Sequence, residues 1–285
     1  MNETIAQAVD RGRARLAAAG VAAAGLEACV LFEHAAGLDR AALLARGREP
    51  ADPEAAQRYE RLLDARSQRI PLAYLTGERE FWSLRLQVDR RVLVPRPETE
   101  TLVEAALERL SPGARVADVG TGSGAIVIAL ALELGAGEFL GTDRCASAIE
   151  IARANAAAHG LTQCIEFLRG DLLAPLRSLP GLLDAVVSNP PYIPTAALGD
   201  LQPEVRDFEP RAALDGGSDG LAVIERLITG VPPLLRRGGW LLLEIGAGQA
   251  GPVRALLQGT GRFDDISSRR DLAGIERVVA ARKAA

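Results

Sequence analysis

From about residue 114 onward, short runs of apolar and β-branched residues alternate with longer stretches in which apolar positions recur at helical spacing. The short runs, near 114–119, 138–142, 164–168, 183–187, 239–245, 263–267 and 275–281, read as strands. The longer ones, near 123–134, 146–158, 219–230 and 249–258, read as helices. Runs such as "LLDAVV" fit strands buried on both faces, and regular alternation with helices implies a mostly parallel sheet covered on both sides. A further helix follows from "RPETETLVEAALERL". The alternation breaks between 189 and about 218, a long irregular connection of the kind that is usually functional or disordered.

Upstream, "REFWSLRLQVDRRVLVP" at 79–95 places Phe81, Leu84, Leu86, Val88, Val92 and Val94 at a period near two, which predicts a β-hairpin. Phe81 and Trp82 belong to the core of that hairpin. The first 70 residues are dense in Ala, Leu, Arg and Glu and punctuated by Gly20, Gly25, Gly37 and Gly47, the composition of a small helical domain. Asp52 is an N-cap followed by Pro53 in the first turn, and Leu62, Leu63 and Ala65 continue that helix. The expected organisation is a helical domain at 1–75, a hairpin linker at 76–96 and an α/β domain at 97–285.

The irregular connection opens with "SNPPYIP", residues 188–194. Each proline fixes φ near −65° and removes a backbone donor, and a residue before proline is pushed to extended backbone. The result is a stiff loop at a strand end that presents carbonyl acceptors, the Asn189 side chain and the Tyr192 ring but few N–H groups. Such a loop suits a planar, polar partner rich in N–H donors.

A second motif is "ADVGTGSGAIVIALAL", residues 117–132, in which a strand ending at Val119 turns through Gly120, Thr121, Gly122, Ser123 and Gly124 into an apolar helix. Glycines let the backbone approach a ligand closely, and the helix start offers unpaired N–H groups. Asp143 closes the next strand, placed where an acidic side chain can accept both ribose hydroxyls of a nucleoside. The G-x-G-x-G spacing lacks the third glycine of the dinucleotide fingerprint, which disfavours NAD. Asp118 is open to two readings, a partner for a ligand ammonium or a strand-end carboxylate bonded to a backbone donor. Glu98 likewise is either an ordinary charge at a helix start or part of site closure.

Composition narrows the partners. Of 285 residues, 48% are hydrophobic and 25% charged, enough for an ordinary globular core. A net charge of −4 argues against a broad electrostatic grip on phosphates, so no direct nucleic acid requirement is expected. Cys29, Cys145 and Cys164 are odd in number and lack metal-ligand spacing, consistent with reduced thiols and no metal. With no signal-peptide pattern and no run of 18 apolar residues, the expected location is the cytoplasm and no membrane partner is expected. His34 and His159 lie in no motif.

Nine separated segments, in order, carry a resemblance: "PLAYLTGEREFWSL", "VPRPETETLVE", the glycine turn, "GTDRCASAIEIARANA", "GDLL", "LDAVVSNPPYIP", "DFEPRAALDGGSDGL", "GGWLLLEIG" and "DLAGIERVV". Over about residues 70–280 the chain resembles the release factor glutamine methyltransferases, the PrmC or HemK family. The first 70 residues share with that family only the character of a small helical domain. The resemblance implies a class I S-adenosylmethionine-dependent methyltransferase fold, α/β and Rossmann-like, with a mostly parallel seven-stranded sheet. It implies methylation of the side-chain amide nitrogen of the glutamine in the Gly-Gly-Gln tip of peptide chain release factors, with S-adenosylhomocysteine as product. Carried over residue by residue, Gly120, Thr121, Gly122, Ser123 and Gly124 cradle the cofactor's methionine part and Asp143 its ribose. Leu172, where some members carry tryptophan, packs on the adenine, and Asn189 also touches the cofactor. Asn189 and Pro190 accept the two amide protons of the substrate, Tyr192 lies against the amide plane, and Pro191 completes the substrate loop. The helical domain recruits the release factor.

Two other readings stand beside this one. Asn-Pro-Pro-Tyr also serves enzymes that methylate exocyclic amines of nucleic acid bases, which need a flipped base and phosphate contacts. A variant of the protein reading is a glutamine in a ribosomal protein. A non-catalytic binding module is the third reading, and the intact Gly120, Gly122, Asp143 and NPPY weigh against it.

Overall fold

The structure, a computed structural model, describes residues 3–179 and 181–284. The chain packs as two compact units: residues up to Glu78 together with Gln202–Phe208, and Arg79–Leu201 together with Glu209 onward.

The first unit contains α1 (Ile5–Ala18), α2 (Ala24–Ala36), α3 (Arg40–Ala45), α4 (Pro53–Ser67) and α5 (Leu72–Thr76). Asp52 caps α4 as expected, its carboxylate accepting from the Ala55 N–H at 2.9 Å with Pro53 in the first turn. Leu16, Leu31, Phe32, Tyr59 and Leu63 form the fully buried centre, with the Phe32 and Tyr59 rings edge to face at 5.0 Å.

In the second unit β1 (Glu78–Phe81) and β2 (Leu84–Gln87) form a separate two-stranded sheet. The hairpin is shorter than the period-two pattern predicts. Its turn is Trp82-Ser83, both at positive φ (54° and 58°), a conformation usually given to Asn-Gly. The Trp82 N–H donates to Glu100 at 2.8 Å, which holds the turn. Val88, Val92 and Val94 are buried outside any strand, so their spacing reflects burial of a loop rather than pairing.

There follow α6 (Glu100–Leu107), β3 (Ala114–Val119), α7 (Ala125–Leu134), β4 (Gly137–Asp143), α8 (Ala146–Ala158), β5 (Ile165–Arg169) and β6 (Leu183–Ser188). After α9 (Pro203–Phe208) come α10 (Ala222–Gly230), β7 (Leu235–Glu244), α11 (Ala250–Thr260), β8 (Phe263–Arg270) and β9 (Glu276–Lys283). The seven-stranded sheet runs β5-β4-β3-β6-β7-β9-β8, parallel except at β9, which is antiparallel to β7 and β8. One buried cluster, with Val116, Ala185, Leu242 and most of α7, covers one face, and a second, with Ala117, Val186, Leu241 and Ile224, covers the other. That double burial is why the strand sequences read as apolar runs.

The connection from 189 to 218 is more ordered than its sequence suggests. Pro194, Pro203 and Pro210 start helical turns at Thr195–Asp200, Pro203–Phe208 and Arg211–Ala213. Short proline-initiated turns carry no apolar periodicity, so the pattern did not show them.

Helix α9 packs as part of the first unit, where Arg66, only 4% exposed, bonds both Glu27 and Glu204. Arg69 adds a two-pronged contact to Glu204, each bond 2.7 Å. Burial acts to raise the Glu204 carboxyl, but the two guanidiniums outweigh it and hold it below its ordinary range. Breaking a buried pair from one side commonly costs about 3–5 kcal/mol. Because Arg69 still serves Glu204, Arg66→Ala is expected to lose about 3 kcal/mol in urea unfolding and to expose 202–208 to limited proteolysis. An unchanged unfolding midpoint and digestion pattern would remove the network from any structural role.

Candidate functional site

Parallel sheets bind ligands outside their carboxyl ends where the strand order reverses. Here that point lies between β3 and β6, which pair directly with Val116 opposite Ala185 and Asp118 opposite Val187. The glycine turn and SNPPYIP therefore leave neighbouring strand ends. The Ser188 hydroxyl donates to the Val119 carbonyl at 2.6 Å and locks the two departures together.

Gly120, Gly122 and Gly124 have φ of 76°, 56° and 84°, the left-handed region that disfavours a side chain. A Cβ at Gly120 or Gly122 would meet nothing within 4 Å, so open space borders the backbone there. At Gly124 it would lie 3.0 Å from Ile128 and 3.3 Å from Ala152, so that glycine serves the packing of α7 on α8. The N–H groups of Gly120 and Thr121 donate to the Thr142 carbonyl at 2.8 and 2.9 Å, folding the turn against β4. Asp143, half-buried at the end of β4, accepts from Gly122 N–H at 3.1 Å and Cys145 N–H at 2.8 Å. A carboxylate offers about four acceptor positions, so capacity remains for hydroxyl groups. Ser123 is buried, and its carbonyl accepts from Asn155 at 2.8 Å; the same Asn155 exchanges two bonds with the backbone of Gln87.

Asp118 is fully buried. One oxygen accepts from the Thr121 hydroxyl at 2.7 Å, the other has no well-formed hydrogen bond, and the Val127 backbone N–H acts to lower the carboxyl's pKa, the kind of donor a strand-end pairing requires. Burial pushes its carboxyl up to about 7, against the Thr121 bond and with the Asp143 charge adding to the rise. Leu172 sits at φ 48°, an uncommon conformation for leucine. Its carbonyl accepts from the Thr142 hydroxyl at 3.2 Å, which ties the GDLL loop to the end of β4.

In the second loop Asn189 Nδ2 donates to Thr99 Oγ1 at 3.1 Å, which leaves Oδ1 as the outward acceptor. Pro190 is buried, and Pro191 and Tyr192 are half-buried. The Tyr192 carbonyl accepts from Gln249 at 3.0 Å and the Ile193 carbonyl from Gly216 at 2.8 Å. Among the described residues, no protein donor takes the Pro190 carbonyl or Asn189 Oδ1. The Tyr192 hydroxyl donates to Glu244 at 3.3 Å. Glu244, at the end of β7, is 1% exposed, and burial pushes its carboxyl up to about 7 against the Thr99 hydroxyl, the Arg277 charge and Tyr192. Burial, then the Glu244 charge, pushes the Tyr192 phenol above its ordinary value.

The structure thus brings Gly120, Gly122, Asp143, Leu172, Asn189, Pro190 and Tyr192 to one edge of one sheet. Thr99, Glu244, Gln249 and Asn155 were not foreseen. Glu244 had a visible signal, a charge closing the apolar run "WLLLE", whereas Thr99 lies hidden beside the exposed Glu98. His159 sits apart, its Nε2 on the Arg85 carbonyl at 2.9 Å, and His34 is exposed.

Among known families, residues 7–77 match "PrmC N-terminal domain" and 97–200 match "Methyltransferase small domain". The chain is 47% identical over 276 residues to the release factor glutamine methyltransferase of Moorella thermoacetica, covering 96% of each chain. The chain belongs to the release factor glutamine methyltransferase family. The enzyme of the same description from Geobacter sulfurreducens is 43% identical over 98% of this chain and 96% of its own. A methyltransferase structure from Pyrococcus furiosus, 15% identical, superposes with a TM-score of 0.54 over 71% of this chain and 90% of that one, a likeness of fold. The helical N-terminus, tied to the family in sequence only by its size and helicity, is thereby part of the family likeness.

In this member of the family, Asp118 and Glu244 both titrate higher when folded than their ordinary values of 3.8 and 4.5. The folded state therefore holds protons that the unfolded state has released, and stability falls as pH rises from about 4.5 to 7. Glu244 alone contributes a loss on the order of 3 kcal/mol across that window. Glu244→Gln is expected to flatten this part of the curve. Urea midpoints measured from pH 4.5 to 8 check it, and a wild-type midpoint that climbs through the window would contradict the assignment of raised acids.

Proposed function

We propose that the protein methylates the side-chain amide nitrogen of a glutamine in peptide chain release factors, the glutamine of their Gly-Gly-Gln tip, using S-adenosylmethionine. The observation that carries the reading is the pair of untaken acceptors, Asn189 Oδ1 and the Pro190 carbonyl, opening beside the glycine turn. A primary amide has two N–H groups in one plane, and two acceptors on a proline-stiffened loop match that pattern. The helical domain at 1–75 recruits the release factor, the hairpin at 76–96 links, and 97–285 holds the chemistry. The net charge of −4 fits a protein substrate in the cytoplasm better than nucleic acid.

The residues at the glycine turn fit the cofactor. The open space beside Gly120 and Gly122 accommodates its methionine part, with Thr121, Ser123 and Gly124 completing the cradle. Asp143 has acceptor capacity for ribose hydroxyls, Leu172 offers an apolar contact for adenine, and the buried, under-bonded Asp118 carboxyl suits its ammonium group. Bound there, the cofactor supplies an electrophilic methyl group on a sulfonium. Asn189 borders both this pocket and the substrate loop.

An amide nitrogen is a poor nucleophile because its lone pair is delocalised into the carbonyl. Asn189 and Pro190 hold it by its N–H groups, Pro191 stiffens the loop, and Tyr192 flanks the amide plane. Orientation of this kind can supply up to about 7–11 kcal/mol of barrier reduction. As the nitrogen gains positive charge, the same two oxygens stabilise it without having to reorganise. The methylated amide is then strongly acidic and loses its proton readily, so no strong base is required. Mass spectrometry of a release factor incubated with the protein and S-adenosylmethionine tests the reading, which predicts one added methyl on the tip glutamine.

Asp143→Ala is expected to weaken S-adenosylmethionine binding by about 1.5–3 kcal/mol, the worth of charge-assisted hydrogen bonds. Part of that loss comes from releasing the Gly122 and Cys145 N–H groups that Asp143 holds. Unchanged affinity in calorimetric titration would sink the ribose assignment. Asn189→Ala removes an acceptor but leaves Pro190 and Pro191 to shape the loop, so turnover should fall about 10²–10³-fold with folding intact. Asn189→Asp keeps an acceptor oxygen and should retain more kcat than alanine on intact release factor, with circular dichroism confirming both folds. Equal activity of wild type and Asn189→Ala would reduce the loop to a turn.

A further inference from the structure

We infer that Thr99 and Glu244 are positioning residues that set the two ends of the NPPY loop, fixing which atom of the Asn189 amide faces the substrate and where the Tyr192 ring stands. The inference rests on the glutamine methylation reading. Neither residue belongs to the loop, and neither is needed to hold its backbone, which Gln249 and Gly216 already bond.

Glu244 is an expensive residue for its place. It ends a strand whose preceding residues Leu241, Leu242 and Leu243 are buried, and it is itself 1% exposed. Its Oε2 has no well-formed hydrogen bond. Arg277, whose charge acts on Glu244, bonds elsewhere, with Asp271 at 3.1 Å and the Ile245 carbonyl at 3.3 Å. Burying a carboxylate without an ion partner costs free energy, and a leucine would complete the strand without that cost. The acid instead meets two hydroxyls. Tyr192 donates to Oε1 at 3.3 Å, and the Thr99 hydroxyl acts to lower the carboxyl's pKa.

Polarity makes the arrangement directional. Ionised, as it is above about pH 7, Glu244 only accepts, so the Thr99 hydroxyl turns its proton toward it. Its oxygen lone pairs then face Asn189, and the 3.1 Å contact is made by Asn189 Nδ2 as donor. The other atom of that amide, Oδ1, is left to face outward as acceptor. A flipped amide would point its NH₂ at the substrate NH₂ and repel it. Thr99 is 4% exposed, so no bulk water competes for its hydroxyl. The same carboxylate fixes Tyr192 through its phenol, so one buried group orients both polar side chains of the motif.

Thr99→Val keeps the shape and deletes the hydroxyl, Thr99→Ser restores it, and Glu244→Leu replaces the acid by the apolar residue the strand favours. Thr99→Val and Glu244→Leu are expected to lower kcat on release factor between about 10- and 100-fold, the range for misplaced reacting groups. S-adenosylmethionine affinity and the KM for release factor should stay within about twofold, because the deleted hydrogen bonds act on orientation rather than on uniform binding. Thr99→Ser should recover most of the rate, and Glu244→Leu should be no less stable than wild type above pH 7, so that slowing and unfolding separate. Wild-type kcat in folded Thr99→Val would overturn the inference, and that variant decides if Glu244→Leu does not fold. The chain has three asparagines, Asn2, Asn155 and Asn189, so selective ¹⁵N labelling resolves the Asn189 side-chain amide. Its resonances should shift in Thr99→Val and Glu244→Leu and return in Thr99→Ser. Absence of methyl transfer by wild type would remove the function while the resonances still decide the relay, and unmoved resonances would remove the relay whatever the activity.

Discussion

The direct pairing of β3 with β6 is the constraint on which the site depends. Because these two strands run parallel and adjacent where the sheet order reverses, whatever follows Val119 and whatever follows Ser188 must emerge side by side. The helices that follow on either hand cover opposite faces and leave a crevice between the two loops. A single side-chain bond, Ser188 to the Val119 carbonyl, fixes their separation. The open backbone of the glycine turn and the acceptor-rich proline loop then face one volume. Methyl transfer between a cofactor and a planar amide needs that juxtaposition before it needs any particular catalytic group.

Around this crevice the protein places acids where burial raises their proton affinity. Asp118 and Glu244 close strands β3 and β7, each with one under-bonded oxygen. An interior built for stability alone would fill both positions with apolar residues, as their strand neighbours do. These two raised acids are a cost carried at the site, and burial raises Glu33 and Glu209 as well. Leu172 adds an uncommon left-handed backbone in a loop that borders the crevice.

Much of this was legible in the sequence because buried parallel strands and the loops that end them leave strong local marks. The seven strand runs, the glycine turn, Asp143 and SNPPYIP were all read from spacing and residue type, and Asp52-Pro53 announced the start of α4. What escaped had no local signature. The Trp82-Ser83 turn carries neither Asn nor Gly, so the hairpin ended earlier than its apolar rhythm implied. Thr99 is one polar residue in "RPETET", and only its burial against residues about ninety and more positions away distinguishes it from Glu98. Pairings at such separations are made by the sheet order, which periodicity does not contain.

The path of the chain after the NPPY loop adds one more consequence of topology. From Leu201 it leaves the α/β unit, contributes α9 to the helical unit through Glu204, and returns at Glu209. Both ends of this excursion are pinned. Ile193 exchanges backbone bonds with Leu214 and Gly216, and buried Glu209 accepts from Arg96 at 2.7 Å. The pinned residues lie within a few positions of Tyr192 at one end and of Thr99 at the other. A loop that must hold an amide to within a fraction of an ångström gains from the pin at Ile193, which restricts the conformations open to the motif just before it.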